Sequence, residues 1–231
     1  MEKLQLSNRL KTVSQFVKKS EKVADIGSDH AYLPIYLIQH RLILAAIAGE
    51  VVEGPFQNAK KKVKDYQLED KISVRLGNGL HILNEEDEVG TVTICGMGGL
   101  LIANILNEGI NKQILSKSTR LVLQPNNAEK DLRLFLQINQ YEIIEEAIVE
   151  EHNKIYEVIV AEYRSKKIKY SEDELTFGPL LLKKKTSTFY KKWQAELDIH
   201  EDILEQLRNT KNIEKIEAIQ EKIHQIKKVL T

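Results

Sequence analysis

The sequence has little cysteine, no long apolar run and no net charge, and each shortage narrows the class of protein. A single cysteine, Cys95, excludes an intramolecular disulfide, and no spacing of Cys and His resembles a zinc site, so we expect no metal centre. No apolar run approaches the roughly 18 residues that span a bilayer, and the N-terminus lacks the pattern of a signal peptide. We therefore expect a soluble cytoplasmic protein that does not enter membranes.

The charges give only a weak indication of a partner. The 34 basic and 34 acidic residues balance, so the net charge of the protein gives no indication that it binds nucleic acid. Residues 166–231 hold 14 Lys and Arg against 11 Asp and Glu, whereas residues 1–165 hold 20 against 23. This asymmetry leaves RNA binding open without requiring it.

Short apolar runs alternate with helical patterns through the first part of the chain, after an amphipathic helix that Ser7 can cap. Five runs predict strands, and helical patterns lie between the later ones: strands at 22–26, 42–50, 72–76, 91–96 and 120–124, helices at 53–66, 99–107 and 128–138. Strands separated by such helices predict parallel βαβ units. Two further runs, 141–150 and 154–164, should pair antiparallel across a polar turn. Together they predict the Rossmann-like, seven-stranded α/β sheet of class I methyltransferases.

The composition changes near residue 165, where strands give way to helix. Apolar residues stripe one segment from Leu180 to Leu207 and a second from Ile213 to Leu230, with the polar turn 208–211 between them. Two helices joined in this way predict an antiparallel hairpin, and the regular steps of the second stripe predict a coiled-coil seam. We therefore expect a cofactor-binding domain at 1–165 and a helical hairpin at 166–231.

The turn after the first strand indicates which cofactor the domain binds. The run from Asp25 to Ala31 has one glycine, Gly27, where backbone amides can approach a ligand at the start of a helix. Asp29 occupies a position where a dinucleotide fold has glycine, and its carboxylate would repel a pyrophosphate. S-adenosylmethionine carries a sulfonium and an ammonium but no phosphate, so we favour it over NAD. A strand–turn–helix corner with no ligand remains the alternative.

Other polar groups follow the neighbouring strands. Glu50 ends the second strand, where a carboxylate can accept both ribose hydroxyls, and Asn78 and Gly79 follow the third strand, where an amide can read an adenine edge. The glycine-rich run at 96–99 leaves room for a flat substrate, and 124–127 offers three amides to the same pocket. Each has a structural alternative, as a solvated strand end, an ordinary turn or a helix cap.

Aromatic and basic residues could bind RNA. Tyr32 could stack on a base, and His30 could contact the cofactor or RNA, although either could equally complete the packing of the corner. The cluster at 183–185 lies near aromatic residues, so Lys183 and Lys184 could hold phosphates or form a solvated helix face.

These motifs resemble the bacterial tRNA (adenine-N1)-methyltransferase family that modifies adenine at tRNA position 22. The matching segments cover nearly the whole chain: Arg9-Leu10, Val23 to Pro34, Gly49-Glu50-Val51, Gly77-Asn78-Gly79-Leu80, Cys95-Gly96-Met97-Gly98-Gly99 and Leu123-Gln124-Pro125-Asn126. The resemblance implies S-adenosylmethionine as donor, tRNA as substrate and a hairpin that helps to hold the tRNA. Asn78 departs from the aspartate common at this place in class I methyltransferases.

On this basis we assign the site residues by role. The expected cofactor contacts are Asp25, Gly27, Ser28, Asp29, His30, Glu50, Asn78, Gly79, Gly96 and Met97. The expected substrate contacts are Arg9, Tyr32, Gly98, Gln124, Lys183 and Lys184, and the expected catalytic residues are Asp29 and Asn126. A methyltransferase-like RNA-binding protein without catalysis, or a methyltransferase for a small molecule or a protein, would share much of this pattern. We expect a monomer.

Overall fold

A computed structural model describes residues 3–207 and 212–231. Its central element is a seven-stranded sheet in the order β3-β2-β1-β4-β5-β7-β6. The strands are β1 (Lys22–Ile26), β2 (Ala45–Glu50), β3 (Ile72–Leu76), β4 (Val89–Met97), β5 (Arg120–Pro125), β6 (Tyr141–Glu151) and β7 (Lys154–Tyr163). The first five pair in parallel, and β7 lies antiparallel between β5 and β6. The predicted sheet is confirmed.

Helices cover both faces of the sheet because its parallel strands are apolar on both sides. The helices before the hairpin are α1 (Asn8–Ser14), α2 (Tyr32–Gln39), α3 (Glu53–Asp65), α4 (Gly99–Asn111) and α5 (Glu129–Ile138). One apolar core lies under α1, α2 and α3, and the other lies under α4 and α5. Ser7 caps α1 by accepting a hydrogen bond from the Leu10 amide, as predicted. Arg9 of α1 reaches the end of β5, where it donates a hydrogen bond to Gln124.

In the part of the chain that the structure describes, four helices follow the sheet. They are α6 (Glu172–Phe177), α7 (Leu181–Lys184), α8 (Ser187–Leu207) and α9 (Ile213–Leu230). The stripe predicted as one segment is divided between α7 and α8, because Lys185 adopts a left-handed conformation with φ of 38°. Phe189 and Trp193 of α8 share an apolar cluster with Ile223, Ile226 and Val229 of α9, and Lys228 pairs with Asp173 of α6 at 3.0 Å. Because α8 ends at Leu207 and α9 begins at Ile213, two helices of this length that pack together run antiparallel. The predicted turn at 208–211 lies outside the described residues, and the coiled coil stays a prediction.

A buried ionic network joins the last helices to the sheet. Arg133 of α5 is fully buried and pairs with Glu146 of β6 at 2.8 Å and with Glu157 of β7. Lys192 of α8 also pairs with Glu157, at 2.7 Å, and the Glu146 carboxylate accepts hydrogen bonds from the amides of Leu180 and Leu181. The helices after residue 165 are therefore docked on the sheet by complementary charges.

Within the described residues, the helices are too short or too polar to cross a bilayer. In the same part of the chain, no three His, Cys, Asp or Glu side chains converge as a metal site would require.

Candidate cofactor and substrate site

A cavity of about 340 Å³ opens at the carboxyl ends of β1 and β4, beneath α1. Its lining combines predicted and unpredicted residues: Arg9, Leu10, Asp25, Gly27, Ser28, Asp29, Leu33, Cys95, Gly96, Met97, Asn126 and Tyr156. Ligands of open α/β sheets bind at this edge, where the strand order reverses between neighbouring strands. The location is therefore the one that the sequence predicted.

The turn after β1 has an unusual backbone. Gly27 has φ of 68°, and three successive non-glycine residues, Asp29, His30 and Ala31, also have positive φ, between 46° and 66°. A Cβ on Gly27 would lie 2.2 Å from the Met97 Cε, so the end of the Met97 side chain would have to shift, and the positive φ would strain any other residue. Backbone strain of this kind is concentrated at functional sites, where a particular geometry is required. In this turn the side chain of Asp29 is 85% exposed.

The two aspartates of this turn differ in what they can bind. Asp25 is buried, and its two oxygens accept hydrogen bonds from Ser28 Oγ and Thr93 Oγ1, both at 2.6 Å. Burial raises the pKa of Asp25 despite these hydrogen bonds. Asp29 lies at the mouth of the cavity, with His30 Nε2 3.6 Å from its Oδ1. Asp25 therefore shapes the turn, whereas Asp29 can meet a ligand.

Glu50, at the end of β2, is a buried carboxylate with an unused oxygen. Its side chain is 6% exposed, and Oε1 has no hydrogen-bond partner among the described residues. Burial raises the pKa of Glu50, although the backbone amides of Asp29 and His30 partly oppose the shift. A buried acceptor without a donor is costly, by about 1–3 kcal/mol, so this oxygen is suited to a ligand hydroxyl.

The turn that holds Asn78 and Gly79 lies beside Glu50. The Gly77 amide donates to the Glu50 carbonyl at 2.8 Å, which fixes the turn against the end of β2. Asn78 is exposed, and Gly79 has φ of 53° at the start of a short 3₁₀ helix. Glu50, Asn78 and Gly79 lie along the same sheet edge but outside the lining of the 340 Å³ cavity.

A hydrogen-bond network connects α1 to the ends of β4 and β5. Gln124 is fully buried, and its Oε1 accepts hydrogen bonds from Arg9 Nη1 and, at 3.0 Å, from the Gly96 amide. Asn126 is exposed, and its Nδ2 donates to the Gly96 carbonyl at 2.8 Å while its Oδ1 accepts from Gln124 at 3.1 Å. Gln124 thus contacts protein groups, whereas Arg9, Gly96 and Asn126 face the cavity.

The remaining predicted substrate residues do not line the cavity. Tyr32 begins α2, and Lys62 Nζ lies 4.0 Å from the centre of its ring. Gly98 precedes α4, where a Cβ would lie 2.9 Å from Asn127 Oδ1. Lys183 and Lys184 are exposed on α7, and Lys184 pairs with Glu145 at 3.4 Å.

Sequence reasoning missed Tyr156 and assigned no role to Cys95. Tyr156 reaches the cavity from β7, the antiparallel strand, and its ring lies 5.4 Å from the Arg9 guanidinium carbon. No motif marks it, because a tyrosine in a strand is common and only the tertiary structure brings β7 to this edge. Cys95 lines the cavity, but burial raises the pKa of its thiol far above the usual range, so it stays protonated.

The strand order, the antiparallel β7 and the polar turns at the carboxyl edge define the class I methyltransferase fold. The family described as TrmK, tRNA (adenine(22)-N(1))-methyltransferase, matches residues 23–228. A tRNA (adenine(22)-N(1))-methyltransferase of Bacillus subtilis is 40% identical to this chain, covering 100% of this chain and 99% of its own. The chain belongs to this family, as its motifs predicted.

Solved structures with bound ligands resemble the whole molecule. A Streptococcus pneumoniae structure in complex with S-adenosyl-L-methionine has a TM-score of 0.89 and 44% identity, covering 98% of this chain and 100% of that chain. The M. capricolum TrmK structure in complex with S-adenosyl-homocysteine has a TM-score of 0.86 and 31% identity, covering 97% of each chain.

Proposed function

We propose that this protein transfers a methyl group from S-adenosylmethionine to N1 of the adenine at position 22 of tRNA. The observation that carries the proposal is the cavity at the sheet edge, where the strained cofactor turn meets the exposed polar groups of Asp29 and Asn126. Family membership over residues 23–228 and the relatives that hold the cofactor or its product support the same reaction.

The residues present fit S-adenosylmethionine. The unpartnered Oε1 of Glu50 can accept a hydrogen bond from a ribose hydroxyl, and the exposed Asn78 amide can both donate to and accept from an adenine edge. Gly27, Ser28, Gly96 and Met97 would contact the remainder of the cofactor, with Asp25 holding the turn and His30 beside Asp29. When bound, the cofactor supplies an electrophilic methyl group on a sulfonium.

The protein's task is mainly to position the adenine. Adenine N1 has an in-plane lone pair, so it is a nucleophile without prior deprotonation, and alignment alone can be worth roughly 7–11 kcal/mol. Asn126 is held by hydrogen bonds to Gly96 and Gln124, and its amide retains one hydrogen and one lone pair for a base. A target adenine would have to leave its stack to reach this amide.

Methylation at N1 makes the adenine cationic, and Asp29 is the carboxylate at the cavity mouth that can respond to this charge. Its exposed carboxylate at the cavity mouth can stabilise the developing positive charge and accept a proton from the exocyclic amine. Arg9 and Tyr156 would flank the base, with Gln124 acting through Arg9 and Gly96.

The tRNA would extend from this cavity across the surface. Tyr32 at the start of α2 and Gly98 before α4 would meet neighbouring nucleotides, and Lys183 and Lys184 are exposed on α7 for phosphate contacts. We propose that the hairpin at 166–231 helps to hold the tRNA, and that the protein acts as a cytoplasmic monomer.

The reaction is tested by incubating the protein with an unmodified tRNA transcript and S-adenosylmethionine, then locating the methylated nucleotide by mass spectrometry. We expect N1-methyladenine at position 22 and no product from a transcript with guanine at that position. An unchanged adenine despite calorimetric binding of the cofactor would reject the reaction and favour an RNA-binding protein without catalysis.

The role of Asp29 is tested by Asp29→Ala, with Asp70→Ala at another exposed aspartate as the control. We expect kcat to fall by about 10²–10⁴-fold with cofactor affinity retained, as for loss of a general base. A weaker cofactor affinity with unchanged kcat would assign Asp29 to the cofactor instead. Full activity would remove it from the mechanism.

A further inference from the structure

A second cavity, of about 310 Å³, lies between the connection from β5 to α5 and the C-terminal helices α8 and α9. Asn126 lines both this cavity and the cofactor-edge cavity, so the two are neighbours. We call it the junction cavity. The cofactor assignments use none of its other residues.

Two buried donors of the junction cavity have no acceptor. Trp193 and Thr176 line it, each is 5% exposed, and neither Trp193 Nε1 nor Thr176 Oγ1 has a hydrogen-bond partner among the described residues. Buried polar groups are almost always satisfied in native proteins, so two orphans at one cavity call for an explanation. The other orphan atoms in the described residues are Oε1 of Glu50, at the proposed ribose position, and Oε2 of Glu21. Two orphan donors that line the same cavity indicate a ligand that accepts hydrogen bonds there.

Within the described residues, the charged groups of the junction cavity leave one lysine without an ion pair. Its lining carries three lysines and two glutamates: Lys130, Lys192, Lys222, Glu129 and Glu196. Lys192 is neutralised by Glu129 and Glu157, at 2.8 and 2.7 Å, and Lys130 pairs with Glu172. Lys222 has no ion pair in the described part of the chain and lies 5.5 Å from the Trp193 ring centre. Lys222 is therefore the lysine of this lining that is left available to an anion, with Glu196 as the opposing charge that acts most strongly on it.

A bound anion would change the ionisation of Lys222. Burial, with Lys130 as the next cause, lowers the pKa of Lys222. A bound anion would oppose this shift because it stabilises the charged ammonium. The ligand must also accept hydrogen bonds from an indole and a hydroxyl, which phosphate oxygens do.

We propose that the junction cavity binds a backbone phosphodiester of the tRNA, next to the nucleotide that enters the cofactor-edge cavity. Because Asn126 belongs to both walls, the bound phosphate adjoins the extruded adenine and holds the backbone in its rotated form. The proposal rests on the proposed function, since it takes tRNA as the substrate. It assigns to Lys222, Trp193 and Thr176 a role in binding tRNA and none in binding the cofactor.

Trp193 is the only tryptophan of the chain, so its indole N–H gives a single resonance that reports on the junction cavity. The experiment titrates the ¹⁵N-labelled full-length protein with an unmodified tRNA transcript, with inorganic phosphate and with S-adenosylmethionine. We expect the indole resonance to shift with tRNA, and tRNA to displace any phosphate that also shifts it. A shift with S-adenosylmethionine but none with tRNA would overturn the proposal, as would a phosphate shift that tRNA does not compete for.

Binding variants test the same cavity. Lys222→Met should weaken tRNA binding by about tenfold and reduce the slope of log affinity against log salt by about 0.9. Thr176→Val should weaken it several-fold, and both variants should keep the wild-type affinity for S-adenosylmethionine. Lys227→Met is the matched control on α9, since Lys227 already pairs with Glu201 at 2.7 Å. Equal losses for Lys222→Met and Lys227→Met would mean a general charge effect and would reject the site.

Failure of this proposal is distinguishable from failure of the proposed function. If the wild-type protein methylates tRNA while Lys222→Met and Thr176→Val bind tRNA normally, only the phosphate site is rejected. If the wild type does not methylate tRNA but the indole resonance and the variants respond to it, the phosphate site stands in an RNA-binding protein.

Discussion

Two regions of the molecule bury carboxylates, and they treat them differently. At the junction between sheet and C-terminal helices, Glu146 and Glu157 are both paired with Arg133, and Glu157 is also paired with Lys192. At the cofactor edge, Glu50 is buried without a cation among the described residues and keeps one oxygen free.

The pKa values follow this difference at Glu157 but not at Glu146, where burial outweighs Arg133 and raises the pKa. Burial alone would raise the pKa of Glu157, but Arg133 and Lys192 outweigh it and hold that pKa below the usual range. At Glu50 burial is the largest effect, and the pKa is raised. In the junction network the buried carboxylates are neutralised by Arg133 and Lys192. At the cofactor edge Glu50 keeps an oxygen without a hydrogen bond from the described residues, which can bind a ligand but lowers the stability of the free protein.

The largest effect is expected from breaking the junction network. Arg133→Met leaves two buried carboxylates without their common partner, so we expect the free energy of unfolding to fall by about 3–5 kcal/mol. Urea denaturation measures the loss. Arg164→Met is the control, because Arg164 is 41% exposed in its pairs with Glu142 and Glu162, where a loss below about 1 kcal/mol is typical. Equal losses in the two variants would contradict the comparison.

The opposite behaviour is expected at the cofactor edge. Glu50→Gln removes the charge but keeps the shape, so cofactor binding should weaken by about 1.5–3 kcal/mol, as for hydrogen bonds to charged groups. The free energy of unfolding without cofactor should stay equal or rise, because a buried charge without a cation is removed. Calorimetry and denaturation measure the two quantities, with Glu53→Gln on the exposed start of α3 as the control. A loss of stability equal to the loss of affinity would show that Glu50 is structural.

The raised pKa of Glu50 also predicts a pH dependence of binding. The ionised carboxylate accepts hydrogen bonds from hydroxyls, so affinity is complete above the raised pKa of the free protein. It should fall as the pH drops through that value, by up to about tenfold per pH unit. Titrations between pH 4 and 8 check this, and Glu50→Gln should flatten the profile. A wild-type profile that the substitution leaves unchanged would assign the dependence to another group.

The smallest effect concerns the backbone of the cofactor turn. Gly27→Ala places a Cβ against Met97 at a φ of 68°, so we expect a loss of at least about 1 kcal/mol of stability together with weaker cofactor binding. Gly54→Ala is the matched control, because a Cβ there meets nothing within 4 Å and the residue lies in α3. That substitution should stabilise the protein slightly. Similar losses for both glycines would refute the special role of Gly27.

The strands and the cofactor turn could be predicted from the sequence because their signals are local. Apolar runs with turn residues at their ends placed most strands within a few residues of their observed bounds. The second strand was predicted too long, since Leu42 and Leu44 precede β2 after a left-handed Arg41.

The division of the chain into two domains at residue 165 stays a prediction. The contacts between the sheet and the C-terminal helices bear on whether the two parts can be separated. The sheet does end at Tyr163, but α6 and α7 supply backbone groups to Arg133 and Glu146. Removing 166–231 would uncover a buried network, so point variants test the hairpin better than deletion does. The tRNA affinity of the double variant Lys183→Ala, Lys184→Ala can be compared with that of a control double variant on α3, Lys60→Ala, Lys61→Ala.

The sequence by itself determined the sheet, the family and the polar turns at the strand ends, because residue periodicity and short motifs act over a few positions. Only the tertiary structure decided which polar groups remain available. In the folded protein both carboxylate oxygens of Asp25 accept hydrogen bonds from hydroxyls, whereas Oε1 of Glu50 has no hydrogen-bond partner among the described residues. Tyr156 and Trp193 are brought to the two cavities that Asn126 lines. Hydrogen-bond partners distant in sequence settle that availability, and no local pattern records them.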